Sequence, residues 1–118
     1  MNKVAIVVVA DTEGHGNLGR IVNALEAAKE FKEAGDEVQL IFDGAGTQWI
    51  GALADSSHKA HPIYREVKDV IYGACAFCSE AFGAKDDVVA EGIDLLDEYD
   101  SHPSIRKWVD DGYQIITF

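Results

Sequence analysis

The chain has 118 residues, 47% of them apolar, and carries 21 acidic against 10 basic side chains for a formal charge of −11. That length suits one domain, residues 1–118, with core enough to fold without disulfide staples. So negative a surface repels phosphate backbones and anionic lipid, which argues against direct contact with nucleic acid or a membrane and reads as a solubility device.

In chain order, residues 4–10 form a continuous β-branched run, the pattern of a strand buried on both faces of a parallel sheet. Asn17 is placed to cap a helix whose apolar stripe is Leu18, Ile21, Val22, Leu25 and Ala28, and Gly35 closes it. Val38, Leu40 and Phe42 alternate with other residues as a second strand, completing a βαβ unit. Trp49, Ile50, Leu53 and Ala54 suggest a short helix, residues 55–59 a polar loop, and Pro62 the first turn of another short helix running to about Val67. Residues 70–74 read as a third buried strand that delivers Cys75, and a short helix follows, stopping near Gly83. A helical turn at Val88 and Val89 and a short strand near residues 93–96 come next. His102-Pro103-Ser104 starts a last helix with Ile105, Trp108 and Val109 on one face, Gly112 ends it, and residues 113–118 form a final strand. The pattern predicts a three-layer α/β sandwich around a mostly parallel sheet of four to five strands.

No targeting segment is expected: the first apolar run is short and meets Asp11 and Glu13 where a signal peptide would need small residues. No run approaches the length of a membrane span. The expected location is cytoplasmic, where thiols rest reduced.

The only two cysteines, Cys75 and Cys78, stand three apart at a strand-to-helix junction. Sites in open α/β sheets form at such junctions. The unpaired N–H groups of a helix start favour a thiolate, so Cys75 is the expected nucleophile and Cys78, one turn on, its resolving partner. The structural alternative is two small buried residues among Ala74, Ala76 and Phe77. A thioredoxin-type redox pair is weighed below these, because it belongs in the first βα unit of its fold. Zinc is weighed too: His58 and His61 with Cys75 and Cys78 would make a tetrahedral set, in reversed order from the usual finger. The remaining chemistry is sulfur transfer, in which the thiolate accepts a sulfane sulfur and passes it on.

Gly-Ala-Cys75 after a buried strand, Gly83 eight residues later, the closing residues 113–118 and the opening residues 3–35 together resemble the DsrE/DsrF-like (YchN-like, TusD-like) sulfur-relay family. The resemblance implies a parallel-sheet α/β fold and trimers or hexamers. It also implies a persulfide on Cys75, with Cys78 matching a second cysteine of the YchN-like members. Where many relatives have an arginine before the glycine, this chain has Phe82, which leaves activation to the helix end or to a residue such as Lys85.

Gly14-His15-Gly16-Asn17-Leu18-Gly19 matches a dinucleotide fingerprint, with Asp43 as the ribose acid. Asp11 and Glu13 stand between strand and glycines and would repel a pyrophosphate, so the glycines are read as shaping a βα loop. Asp11, His15 and Asn17 would then line the Cys75 pocket. His102 is read as punctuation before a helix, and Asp86-Asp87 and Asp110-Asp111 as solvated faces. The expected function is intracellular sulfur relay through Cys75 and Cys78, with a protein donor or acceptor, a homo-oligomer, and no cofactor or metal. The competing expectation is a non-catalytic homo-oligomeric binding module with structural cysteines.

Overall fold

The computed structural model describes residues 1–118. Strand β1 (Lys3–Val8) leads through α1 (His15–Glu33) to β2 (Glu37–Phe42). A tight helical turn over Gly44–Gln48 runs into α2 (Trp49–Ala54); α3 (His61–Val67) and a second tight turn (Lys68–Val70) then enter β3 (Ile71–Cys75). Next come α4 (Ala76–Ala81), α5 (Lys85–Ala90), the two-residue β4 (Leu95–Leu96), α6 (Ile105–Asp110) and β5 (Gln114–Thr117). The strands lie in the order β4-β3-β2-β1-β5, and every neighbouring pair is parallel. The sheet is thus fully parallel and five-stranded, at the upper end of what the sequence predicts.

Alternation along β1 divides the core. Val4, Ile6 and Val8 face one way and join Leu40, Phe42, Ile21, Leu25, Trp49, Leu53 and Tyr64 in a cluster of 18 buried residues beneath α1, α2 and α3. Ala5 and Val7 face the other way, where only five buried residues gather, and the large one is Trp108 of α6. One layer is therefore thick and the other is a single short helix held by one indole. Trp108 is 1% exposed, and its Nε1 donates to Gln39 Oε1 at 2.5 Å.

Two local expectations are corrected. The cap of α1 is Gly14, at φ 85°, and not Asn17; the helix begins earlier, and the Asn17 amide turns back to donate to the Glu13 carbonyl at 2.8 Å. On α6 only Trp108 is buried, because Ile105 and Val109 are 54% and 61% exposed. The turn after β2 presses on β1 so closely that a Cβ on Gly46 would meet the Val8 carbonyl oxygen at 2.2 Å. Glycine is required there by space.

Candidate functional site

Parallel neighbours end on the same side of a sheet, so β2 and β3 deliver their last residues to one carboxyl edge. Asp43 follows β2 directly. Its N–H donates to the Val8 carbonyl at 2.9 Å, and its Oδ1 accepts from Gly44 N–H at 2.8 Å, which fixes the carboxylate in place. Cys75 is the last residue of β3, and its Sγ accepts the N–H of Cys78 at 3.4 Å, so the two cysteines turn toward each other across the start of α4.

The third contributor comes from the loop between β4 and α6. That loop must cross from one face of the sheet to the other, and it does so over the carboxyl edge. It reverses at Tyr99–His102, where each residue's N–H bonds the other's carbonyl, at 2.9 and 2.7 Å. Asp100 and Ser101 hold φ of 46° and 66°, both in the left-handed region that two-residue hairpin turns require and non-glycine residues seldom occupy. The turn is anchored on both sides. Phe77 N–H donates to Ser101 O at 2.9 Å, and the Phe77 ring lies 5.0 Å from that of His102. At its other end, Glu98 accepts from Ser104 N–H at 3.0 Å and Tyr72 OH at 2.8 Å, and pairs with Lys107. Burial alone would raise the Glu98 carboxyl, but the bonds from Lys107, Ser104 and Tyr72 outweigh it and hold the group below its ordinary value.

The outcome is that His102 Nδ1 sits 3.2 Å from Cys75 Sγ. One ligating atom from each of Asp43, Cys75, Cys78 and His102 lies within 4.8 Å of every other. Asp43 and His102 also line a cleft of about 710 Å³, together with Tyr99, Ile105 and Arg106.

Electrostatics here run against the expected thiolate. Cys75 is fully buried, and burial is the main reason its thiol is pushed up to about 12; the Cys78 N–H opposes this, while the Asp43 carboxylate adds to it. Cys75 therefore rests as a thiol and needs a base to react. An unfolded cysteine ionises near pH 8.5, whereas the folded one keeps its proton to about 12. The stabilising contribution is complete below about pH 8.5 and is lost as pH rises from there toward 12. Denaturant melts between pH 7 and 10 should show the wild type losing stability relative to Cys75→Ser above about pH 8.5. Parallel curves would contradict the raised ionisation.

Several predicted site residues lie elsewhere. His58 Nδ1 accepts Ala60 N–H at 3.0 Å and its ring stands edge-on to Trp49, while His61 Nδ1 contacts the Leu53 carbonyl at 2.7 Å. Both histidines shape the loop before α3 and take no part in the cysteine cluster. His15 lines a separate cavity of about 460 Å³ with Gly14, Trp49 and His58, so the glycine loop and the cysteines do not share a pocket. His102 is part of the cluster, which the punctuation reading missed. Asp43, the acid of the discounted dinucleotide fingerprint, lies beside the two sulfurs. The signal for Asp43 was available, since adjacent parallel strands end together; nothing local marked His102.

The protein is thus a parallel α/β domain with an Asp/Cys/Cys/His cluster at the carboxyl edge of its sheet. No family model matches the chain. It is 31% identical over 100 residues to the uncharacterized protein MJ0733 of Methanocaldococcus jannaschii, spanning 85% of this chain and 81% of that protein, and it belongs to the same family. A solved structure of a conserved protein of unknown function, BT1422 from Bacteroides thetaiotaomicron, is similar at a TM-score of 0.59 and 16% identity, covering 97% of this chain and 94% of that one. The similarity to BT1422 is one of fold. No helix is long and apolar enough to cross a membrane.

Proposed function

We propose that the protein is a sulfur-relay component of the DsrE/DsrF-like type, in which Cys75 accepts a sulfane sulfur from a protein donor and His102 takes the thiol proton. The observation that carries this reading is the 3.2 Å contact of Cys75 Sγ with His102 Nδ1. A buried thiol is a poor nucleophile until a base within hydrogen-bond reach removes its proton.

The step balances without an external oxidant. Cys75 sulfur attacks the outer sulfur of a donor persulfide, R–S–SH. The donor S–S bond breaks, and its electron pair leaves on R–S⁻, which takes a proton to become R–SH. A new S–S bond leaves Cys75–S–SH. If Cys78 then attacks Cys75 Sγ, a Cys75–Cys78 disulfide forms and H₂S leaves; a thiol reductant resets the pair. The partner is a protein and not free nucleic acid, in keeping with the charge of −11. Exposed Tyr99 and Ile105 line the cleft, exposed Phe77 lies against His102, and the three suit contact with a second polypeptide, either the donor or further copies in a trimer or hexamer. The compartment in this reading is the cytoplasm, where both thiols stay reduced.

The test is intact mass after incubation with a sulfane-sulfur donor in chelator. Cys78→Ser, which cannot discharge the persulfide, should gain one sulfur atom; the wild type should gain that atom or, once Cys78 has attacked, lose two hydrogens as the disulfide; and Cys75→Ser should do neither. The complete burial of Cys75 favours one competing reading, a non-catalytic homo-oligomeric module with structural cysteines. A folded, reduced Cys78→Ser that gains no sulfur would select that module.

A further inference from the structure

We infer that Asp43, Cys75, Cys78 and His102 form a binding site for one divalent transition-metal ion of the zinc class. This goes beyond sulfur relay and does not depend on it. The donor set is two sulfurs, one imidazole nitrogen and one carboxylate oxygen, all of which zinc accepts in tetrahedral sites. Bonds of about 2.0–2.3 Å imply tetrahedral edges of about 3.3–3.8 Å. The four ligating atoms already lie within 4.8 Å of one another, and the Cys75–His102 edge is 3.2 Å, so closure around an ion needs shifts of about 1 Å.

The four donors come from three separate segments, which is how a preformed site differs from a chance pair. Three of the four donor residues are braced by neighbours. Asp43 Oδ1 is held by Gly44 N–H, the Cys78 carbonyl is approached by Thr47 Oγ1 at 3.5 Å, and His102 is fixed by its turn and by the Phe77 ring. Such supporting contacts hold metal ligands in geometry. Soft thiolates with imidazole select zinc, cobalt or copper over magnesium or calcium, and binding displaces the thiol protons to solvent. Asp43 and His102 line the cleft, so an ion can enter from that side. Metal and persulfide exclude each other on Cys75, so a bound ion would keep the relay thiol masked.

Cobalt(II) is the probe, titrated into reduced, metal-free full-length protein. One equivalent should give strong visible bands of a tetrahedral ion with sulfur-to-cobalt charge transfer in the near ultraviolet, and zinc should displace it. His102→Ala and Cys78→Ser should each weaken binding by about tenfold or more, while His58→Ala and His61→Ala should leave it unchanged. Circular dichroism confirms that each variant is folded. A pale six-coordinate spectrum without the sulfur band, or unchanged affinity in both His102→Ala and Cys78→Ser, would overturn the site. Because the sulfur-loading assay runs in chelator, its result stands apart from this one.

Discussion

Trp108→Ala should destabilise the fold by about 3–5 kcal/mol, the largest cost of any single side-chain truncation on the thin side of the sheet. The reason is the asymmetry of the layers. One face of the sheet is covered by three helices over an 18-residue cluster, and the loss of one member leaves many others in place. The opposite face has Ala5, Val7, Ile41, Leu96 and Trp108, and only the indole comes from outside the sheet. Removing it opens a cavity that the small neighbours cannot fill, and strands Gln39 Oε1, which accepts the indole N–H at 2.5 Å. Trp108→Phe keeps most of the volume and should cost about 1–2 kcal/mol, chiefly the lost hydrogen bond. On the same helix, Ile105→Ala and Val109→Ala should stay within about 0.5 kcal/mol, since both side chains face outward. Urea unfolding of the four variants measures all of this. A Trp108→Ala cost under about 1 kcal/mol would mean that α6 is not what seals this face.

Most of this architecture was legible in the residues because it rests on periodicity. The β-branched run at residues 4–8, the stripe Ile21-Leu25-Ala28 and the alternation in β2 each encode burial directly, and each element formed where that pattern lay. What was illegible rests on geometry between elements. Nothing in Ile105-x-x-Trp108-Val109 says that a six-residue helix buries only its indole, because that depends on how small the opposing face is. The site divides in the same way. Cys75 and Cys78 were visible as a pair at a strand end. His102 was not, because its position depends on Asp100 and Ser101 adopting left-handed backbone without the Asn-Gly or Asp-Gly signature that usually announces such a turn. The glycine loop at residues 14–19 looked more like a site than it is. Gly14 caps α1 and lines a cavity away from the cysteines, and Gly16 and Gly19 lie within the helix. Its motif recorded backbone freedom, and the chemistry went to residues brought together by the crossing of one loop.

That crossing sets up the largest effect expected on activity: His102→Ala should slow sulfur loading of Cys75 by about 10²–10⁴-fold at neutral pH, the range in which a positioned base contributes. Burial, with smaller contributions from the Cys78 thiol and then the Asp43 carboxylate, holds the thiol protonated up to about 12, so at pH 7 almost none of it is spontaneously thiolate. In the proposed relay the wild-type thiol would pass its proton to Nδ1, 3.2 Å away, as the sulfur attacks. In His102→Ala only the rare free thiolate reacts, so the residual rate should climb about tenfold for each pH unit above neutrality, whereas the wild-type rate should depend far less on pH over the same interval. His102→Gln separates transfer from positioning. Its amide can fill the space and donate a hydrogen bond, but it cannot take a proton, so it should be as slow as His102→Ala and equally steep in pH. Asp43→Asn acts in the opposite sense. With the carboxylate neutralised, one of the influences raising the Cys75 thiol is gone, and the loading rate in chelator should increase. Stopped-flow loading with intact-mass readout follows each variant. If His102→Ala loads as fast as the wild type at pH 7, His102 is not the base, and the imidazole beside Cys75 is left with the metal-holding role.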